Sequence, residues 1–421
     1  YFSIWIYKLM KAGVITIGDE LVQGFTIDKN FSWIAGILYS YGVTVGRNIS
    51  IGDNRSEIKK VLDEFILDEY SLIFITGGLG PTHDDITKLS LAEYFETDFK
   101  FDEEHFNYLE SKALKKGAEF NSLLKSQAEI LKCSTKINNN FGTALGMHIK
   151  FSKSDIFVLP GVPFEMKKMF ENKILPKIVK KFKLIKNNWI TIRTTGIYES
   201  KLYTILSDEI KNSRNKYKIS FLPHYYGVDI RIAVENHKYS KRINSFIDII
   251  KKPISKYIYG YNVDTVPGTL FNLLLSKNIS LSIAESCTGG LISKMITDFS
   301  GSSKIFLGSM TSYSNNFKIK LLKVDKDNID KYGVVSQKVS REMCENIKKL
   351  TGSDAAISAT GISGPLGGTD KKKIGLVYIT VNYKSRYKTK EFNLYPNRKI
   401  HREVTAYTGM NMLRLLIEKN S

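Results

Sequence analysis

One stretch constrains the fold more than any other. Ile279–Ala284 has the length and alternation of a buried strand. It stops at Glu285-Ser286-Cys287-Thr288 and Gly289-Gly290, and an apolar, helix-compatible segment begins at Leu291. Strand, Gly-rich turn and helix together present a side chain and several backbone N–H groups at a helix N-terminus. Ser286 and Thr288 stand there as nucleophile or anion donors, although an ordinary βα turn with a serine N-cap has the same pattern. Two later stretches tilt the balance. Thr311 to Lys318 sets Tyr313, Ser314, Asn315 and Lys318 after the strand-like Lys304–Gly308, and Ala359 to Thr369 is a second Gly-rich loop after the strand-like Asp354–Ala359. Three polar turns on one α/β framework predict a site at the C-terminal edge of a sheet.

The N-terminal half repeats the alternation. Ala12–Gly18 reads as a buried first strand with Asp19 and Glu20 at its end, followed by a helix through Ile34, Ile37 and Leu38. Val43–Val45 is a second strand, with Ile49–Ile51 extending the edge, and Gly52-Asp53-Asn54 follows. Ile58–Leu67 has helical spacing. Leu72–Ile75 is a continuous apolar third strand, as an interior parallel strand should be. Alternating β and α predicts a doubly wound sheet. The third strand ends in the loop Thr76–Thr87, with Gly77, Gly78, Gly80 and Thr82. Glycines let a backbone approach a phosphate closely. Asp84 and Asp85 are hard oxygen ligands suited to Mg²⁺ or a similar cation. Glu20 and Asp53 lie at the ends of neighbouring strands, so three carboxylate-bearing loops converge on a nucleotide or pyrophosphate site; a Gly-rich turn with an Asp helix cap is the plainer reading. His83 alone packs or faces solvent.

Between these halves lies a small α+β unit of about 90 residues. Phe170–Ile185 is helix-like, Trp189–Thr195 alternates as a strand, and Gly196 to Ser200 turns into a helix reaching Ile210. Lys218–Leu222 and Val228–Val234 are strands around a Pro223–Gly227 turn, and the unit ends near Tyr261. Asp264–Pro267 is a short junction without a Gly/Ser-rich linker.

At 421 residues the chain is long enough for two or three domains. The net charge is +20, but the lysines are scattered among many Asn, Ile and Tyr rather than gathered in a patch, which argues against a nucleic-acid partner and leaves phosphate-bearing small substrates compatible. The three cysteines, 133, 287 and 344, show no CxxC spacing, as expected of free thiols in a reducing cytoplasm. Cys287 reads as a small buried residue rather than a nucleophile, since nothing local would lower its pKa. No apolar run approaches the roughly 20 residues of a membrane span, so no membrane partner is expected. Tyr1–Leu9 reads as an extension ahead of a natural start at Met10.

On these motifs the chain resembles the competence/damage-inducible protein A family, CinA. From about Gly268 onward it is similar to the family's nicotinamide-nucleotide amidase domain, through Ala284–Gly290, Tyr313–Asn315, Gly333–Ser336 and the Thr360-Gly361 loop. The N-terminal half resembles its molybdopterin-binding-like domain, through Gly18–Glu20, Gly52–Asn54, Thr76–Thr87, Asn121, Gln127-Ala128, Gly142–Ala144 and Leu159–Met166. The middle resembles its KH-like domain but lacks the GXXG loop that clamps RNA, which leaves a spacer or dimer element. The expected division is 10–170, 171–262 and 263–421.

The resemblance implies a cytoplasmic homodimeric enzyme with two activities. The C-terminal domain would hydrolyse nicotinamide mononucleotide to nicotinate mononucleotide and ammonia without a cofactor. A Ser–Lys arrangement is implied, with Ser286 as nucleophile, Lys318 as the base made available by burial or a nearby cation, and Tyr313 relaying the proton or orienting the ring. Backbone N–H groups of Thr288–Gly290 or of Thr360–Gly361 would hold the oxyanion. Glu285 and Asn315 would line the substrate, and Arg398 or Arg402 would take its phosphate as a fork. The N-terminal domain would act as an ADP-ribose pyrophosphatase needing a divalent metal on Glu20, Asp53, Asp84 and Asp85, with the nucleotide on Gly77, Gly78, Gly80, Thr82 and Asn121. The alternative is a non-catalytic pterin- or nucleotide-binding protein, or a competence-related DNA-processing one. Asp19 (Thr is common there), Leu145 (usually Pro) and Leu366 (usually Gly) depart from the family pattern.

Overall fold

The structure, a computed structural model, describes residues 11–82, 85–115, 122–186, 189–234 and 241–420. Asp84 and Asn121, His83 and the Tyr1–Leu9 extension lie outside the described residues. The chain divides into two compact units, Tyr1–Asn187 and Asn188–Ser421.

The first unit is built on strands β1 (Ala12–Ile17), β2 (Val45–Ile51), β3 (Leu72–Thr76), β4 (Phe99–Phe101), β5 (Glu129–Leu131), β6 (Ser134–Ile137), β7 (Gly146–Phe151) and β8 (Ser154–Leu159). Six of them form one sheet in the order β2-β1-β3-β8-β7-β6. β2, β1, β3 and β8 run parallel, β7 pairs antiparallel with β8, and β6 pairs antiparallel with β7. β1, β3 and β8 are buried along their whole length and mostly apolar because both faces are covered. Ile15, Ile17, Ile73 and Ile75 enter one core, while Val14, Leu72 and Phe74 enter the other, as the two-residue period of a strand requires. The second strand is one continuous edge strand rather than a short strand with a separate extension.

Helical residues 163–182 comprise Pro163–Met169, a π-turn Phe170–Ile174 and Leu175–Phe182. Phe170, Ile174 and Ile178 bury into the core with Ile34, Leu38 and Phe74, and the Phe170 ring meets Trp33 edge-on at 5.4 Å. A domain boundary at residue 170 would cut through this helix, so the first unit extends to Asn187.

The second unit opens with an antiparallel sheet of β9 (Trp189–Thr194), β10 (Tyr217–His224), β11 (Gly227–Val234) and β12 (Ile258–Tyr261), ordered β10-β11-β9-β12. Helices Glu199–Asn212 and Ile243–Ile254 cover it through Leu202, Leu206, Ile247 and Ile250. Pro223 lies within β10 rather than in the turn. That strand is at the sheet edge, where a missing N–H costs little.

The rest of the second unit is a five-stranded sheet of β13 (Leu281–Glu285), β14 (Phe306–Thr311), β15 (Ala355–Gly361), β16 (Leu376–Tyr383) and β17 (Arg386–Asn393), ordered β14-β13-β15-β16-β17. β14, β13 and β15 are parallel, so their carboxyl ends share one edge. Helices Val266–Ser276 and Arg398–Lys419 pack on one face, and Gln337–Thr351 on the other. The two sheets of this unit are joined by Tyr226 stacked on Tyr407 at 3.9 Å and by Arg414 Nη2 donating to the Ile258 carbonyl at 3.2 Å. No helix of the described residues is long and apolar enough to cross a membrane.

Candidate functional sites

The three polar turns after β13, β14 and β15 are stitched together at that shared edge. The Ser286 N–H donates to Ala359 O at 3.0 Å, and the Ser312 N–H donates to Glu285 O at 2.8 Å. Ser286 is 8% exposed, and its hydroxyl has no hydrogen-bond partner among the described residues. Beside it, the fully buried Thr288 Oγ1 is also unpartnered. The chain then reverses through Gly289 and Gly290 at φ +58° and +90°, a left-handed conformation that glycine adopts without Cβ strain. The Gly289 N–H closes the turn on Ser286 O at 3.1 Å, and the Gly290 N–H has no backbone acceptor among the described residues. The helix cap is therefore Gly290, not a serine.

Lys318 is 1% exposed, and its amine donates to the carbonyls of Ser312 at 2.7 Å and Tyr313 at 3.2 Å. Among the described residues no carboxylate pairs with it. Burial without an anion pulls its pKa from the ordinary 10.5 down to about 8. Ser314 positions it by capping helix Asn315–Lys320, accepting from the Phe317 N–H at 3.2 Å. Ser286 and Lys318 thus share the edge, but the amine is turned to the two carbonyls, and no hydrogen bond joins it to Ser286. The Cys287 thiol is pushed up to about 12 by burial, which excludes a thiolate at neutral pH.

Asn397 caps the helix Arg398–Lys419 by accepting from Lys399 and Ile400 N–H groups. Arg398 and Arg402, four residues apart, lie on one face of it. Arg398 donates to Tyr313 Oη at 2.6 Å and to Gly364 O at 3.2 Å. Arg402 directs Nε and Nη2 to Thr288 O at 3.2 and 2.7 Å. One helix turn therefore holds all three loops. Tyr313 is 58% exposed, and Asn315 is exposed at the start of its helix.

Two of the candidate residues have side chains engaged within the fold. Glu285 is turned to the start of the following helix. Its buried carboxylate accepts from the N–H groups of Ile292 (3.1 Å) and Ser293 (2.9 Å) and from Ser293 Oγ (2.5 Å), capping helix Leu291–Thr297. Thr360 is buried with its hydroxyl donated to Val334 O at 3.0 Å, and a Cβ on Gly361 would stand 2.8 Å from Leu376 O. That pair shapes the strand end, and the side chain of Thr360 is spent. Two supports escaped the sequence reading: Ser363 Oγ against buried His401 Nδ1 at 2.9 Å, and Lys372 Nζ donating to Tyr332 O and Val335 O. Both pin the loop that carries Leu366, 87% exposed.

In the first unit a cavity of about 490 Å³ opens beyond the carboxyl ends of β1, β3 and β8, and it brings together Glu20, Asp53, Gly77, Gly78, Gly80, Thr82 and Asp85. Gly77 has φ +110°, and a Cβ there would lie 2.0 Å from Ile17 O. Asp85 spends both oxygens on its own loop, accepting from the Gly80 N–H at 2.7 Å, the Thr82 N–H at 2.9 Å and Thr82 Oγ1 at 2.5 Å. Asp19 and Asp53 each accept the other's N–H, at 3.0 and 3.1 Å. Burial raises the Asp53 pKa, and the charges of Asp19, Glu20 and Asp85 add to it. Among the described residues no three ligating side chains cluster tightly enough to cage an ion. Magnesium is commonly held by one or two carboxylates plus substrate phosphates, and the strained anion of Asp53 beside Glu20 fits that mode. Sequence reasoning missed Asp19 as a partner of Asp53 and Gln127 as a wall of the cavity.

Three family profiles match in order: "Probable molybdopterin binding domain" over residues 13–180, "Damage-inducible protein CinA KH domain" over 190–260 and "CinA C-terminal domain" over 264–417. A Clostridium botulinum chain named as competence-damage inducible is 34% identical over 409 residues, covering 96% of this chain and 99% of its own. A CinA-like protein of Cytophaga hutchinsonii is 32% identical over 406 residues, with 96% and 97% covered. The crystal structure of the competence/damage inducible protein CihA from Agrobacterium tumefaciens matches at 28% identity and TM-score 0.35, over 36% of this chain and 96% of that one. With all three domains present in order and relatives matched nearly end to end, this chain belongs to the CinA family.

Proposed function

We propose that the C-terminal domain hydrolyses the carboxamide of nicotinamide mononucleotide. The observation that carries the reading is Lys318, a buried amine with no anionic partner among the described residues, on the same sheet edge as the Ser286 hydroxyl, which has no hydrogen-bond partner among them either. A neutral Lys318 takes the proton as Ser286 Oγ bonds to the amide carbon. The resulting oxyanion is met by N–H groups of the Ser286–Gly290 turn, where Gly290 has one to give. Collapse breaks the C–N bond, and the leaving nitrogen takes the proton back from Lys318 and departs as ammonia. Water then attacks the Ser286 ester, its proton passing to Lys318 and on to Ser286 Oγ as the acid leaves. Arg398 and Arg402 each keep N–H donors beyond those already bonded, and these supply the positive charge for the substrate phosphate. Ammonia release from the mononucleotide by the full chain tests this, and no release at any pH between 6 and 10 rejects it.

We infer a second activity, ADP-ribose cleavage, for the N-terminal cavity. Glycine backbone beside carboxylates supports a pyrophosphate ligand. Glu20 and Asp53 would hold a divalent cation, which when bound neutralises charge on the pyrophosphate. The Gly77–Gly80 loop orients the phosphates, and Asp85 keeps that loop in shape. Chelator-sensitive release of AMP from ADP-ribose tests it.

A further inference from the structure

The wall of the N-terminal cavity holds a group that the assignments above leave unused. Gln127 is 1% exposed, lines the cavity, and its Oε1 has no hydrogen-bond partner among the described residues. Buried polar atoms are nearly always paired, and an unpaired one is destabilising. Its persistence at a cavity wall points to a donor that arrives with a ligand.

The backbone segment that carries Gln127 is held by a second buried polar side chain. Lys88 is 8% exposed, and its amine donates to the carbonyls of Ser126 and Glu129, which bracket Gln127. Its neighbour Thr87 donates through Oγ1 to Gly77 O at 3.0 Å and through its N–H to Gly78 O at 3.2 Å. The first turn of helix Thr87–Tyr94 therefore fixes the glycine loop and the Gln127 segment together. Any ligand whose phosphates lie on the glycines presents the rest of itself at a set distance from Gln127.

We propose that Gln127 is a specificity-determining contact of this cavity, its Oε1 accepting a hydrogen bond from an O–H or N–H of the nucleoside part of a phosphorylated ligand, and that Lys88 is its positioning residue. This rests on the nucleotide reading of the cavity. A fully ionised phosphate offers Oε1 only acceptors, so Gln127 favours nucleosidic over inorganic phosphates.

Calorimetric titration of the full chain with ADP-ribose and with magnesium pyrophosphate tests the idea. Gln127→Met should weaken ADP-ribose by about tenfold, leave pyrophosphate unchanged, and leave the melting temperature unchanged or raised. Lys88→Met should show the same selective loss, and Lys88→Arg should restore most of it. Equal weakening of both ligands, or no change for ADP-ribose, overturns the proposal. A wild-type chain that binds pyrophosphate but not ADP-ribose rejects the nucleosidic contact while leaving a phosphate site. One that binds neither rejects the reading of the cavity and this inference with it.

Discussion

Replacing Lys318 by methionine separates catalysis from stability. The two side chains have similar length, so the change removes the amine and little volume. Holding the ammonium at about 8 against its ordinary 10.5 burdens the folded state at pH 7. At about 1.4 kcal/mol per pH unit the burden is about 3 kcal/mol. Methionine relieves it but takes donors from the Ser312 and Tyr313 carbonyls, at about 1 kcal/mol each. The two nearly offset, so the melting temperature should move by only a few degrees. In wild type the unfolded chain holds this proton up to about 10.5 while the folded chain releases it near 8. The burden is therefore full below about 8 and fades as pH rises toward 10.5. Activity should respond far more. A lysine titrating at about 8 is neutral in about one molecule in eleven at pH 7 and about ten in eleven at pH 9. Wild-type ammonia release should thus rise about tenfold across that interval, and Lys318→Met should lose on the order of 10²- to 10⁴-fold and lose the pH dependence. Lys318→Arg should be nearly as damaging, because a guanidinium stays protonated. Activity in Lys318→Met within tenfold of wild type, or a flat wild-type profile from pH 7 to 9, refutes the base assignment.

Ser286→Ala should lower kcat by on the order of 10³-fold, and denaturation should show stability within about 1 kcal/mol of wild type, since the hydroxyl has no partner to lose. Glu285→Ala should instead unfold more easily, by roughly 3 kcal/mol in urea titration, because three donors at a helix N-terminus lose their carboxylate. Asp53→Asn should abolish chelator-sensitive ADP-ribose cleavage while leaving ammonia release intact. The same change should raise the melting temperature of metal-free protein at neutral pH, because it removes an anion that burial and Asp19, Glu20 and Asp85 disfavour. Light scattering should give the mass of a homodimer, and a monomer at assay concentration would remove that proposal.

The strands and most helices were legible because their signals are local. Unbroken apolar runs such as Leu72–Ile75 mark strands covered on both faces, and parallel strands put their terminal loops at one edge. The boundary at residue 170 was illegible because a π-turn carries the apolar stripe onward without a break in composition. The site divides along a similar line. Ser286 and Lys318 were readable as residue types, Ser286 directly after β13 and Lys318 in the helix after β14, since topology alone places the segments that follow parallel strands at one edge. What each polar atom binds was not, because partners are fixed by backbone donors and acceptors that composition does not encode. Glu285 ends β13 and Ser286 opens the turn that follows, and a sequence gives them equal claim to the site. The longer of the two finds three unpaired donors of a helix N-terminus and is consumed by them, while the hydroxyl finds none and remains available. Gln127 inverts that case: Lys88 occupies the carbonyls around it and leaves its own acceptor unmet. Ser286, Thr288 and Gln127 each keep a polar atom that the described neighbours leave unmet. Residue type narrows the candidates, and only the hydrogen-bond inventory of the folded chain chooses among them.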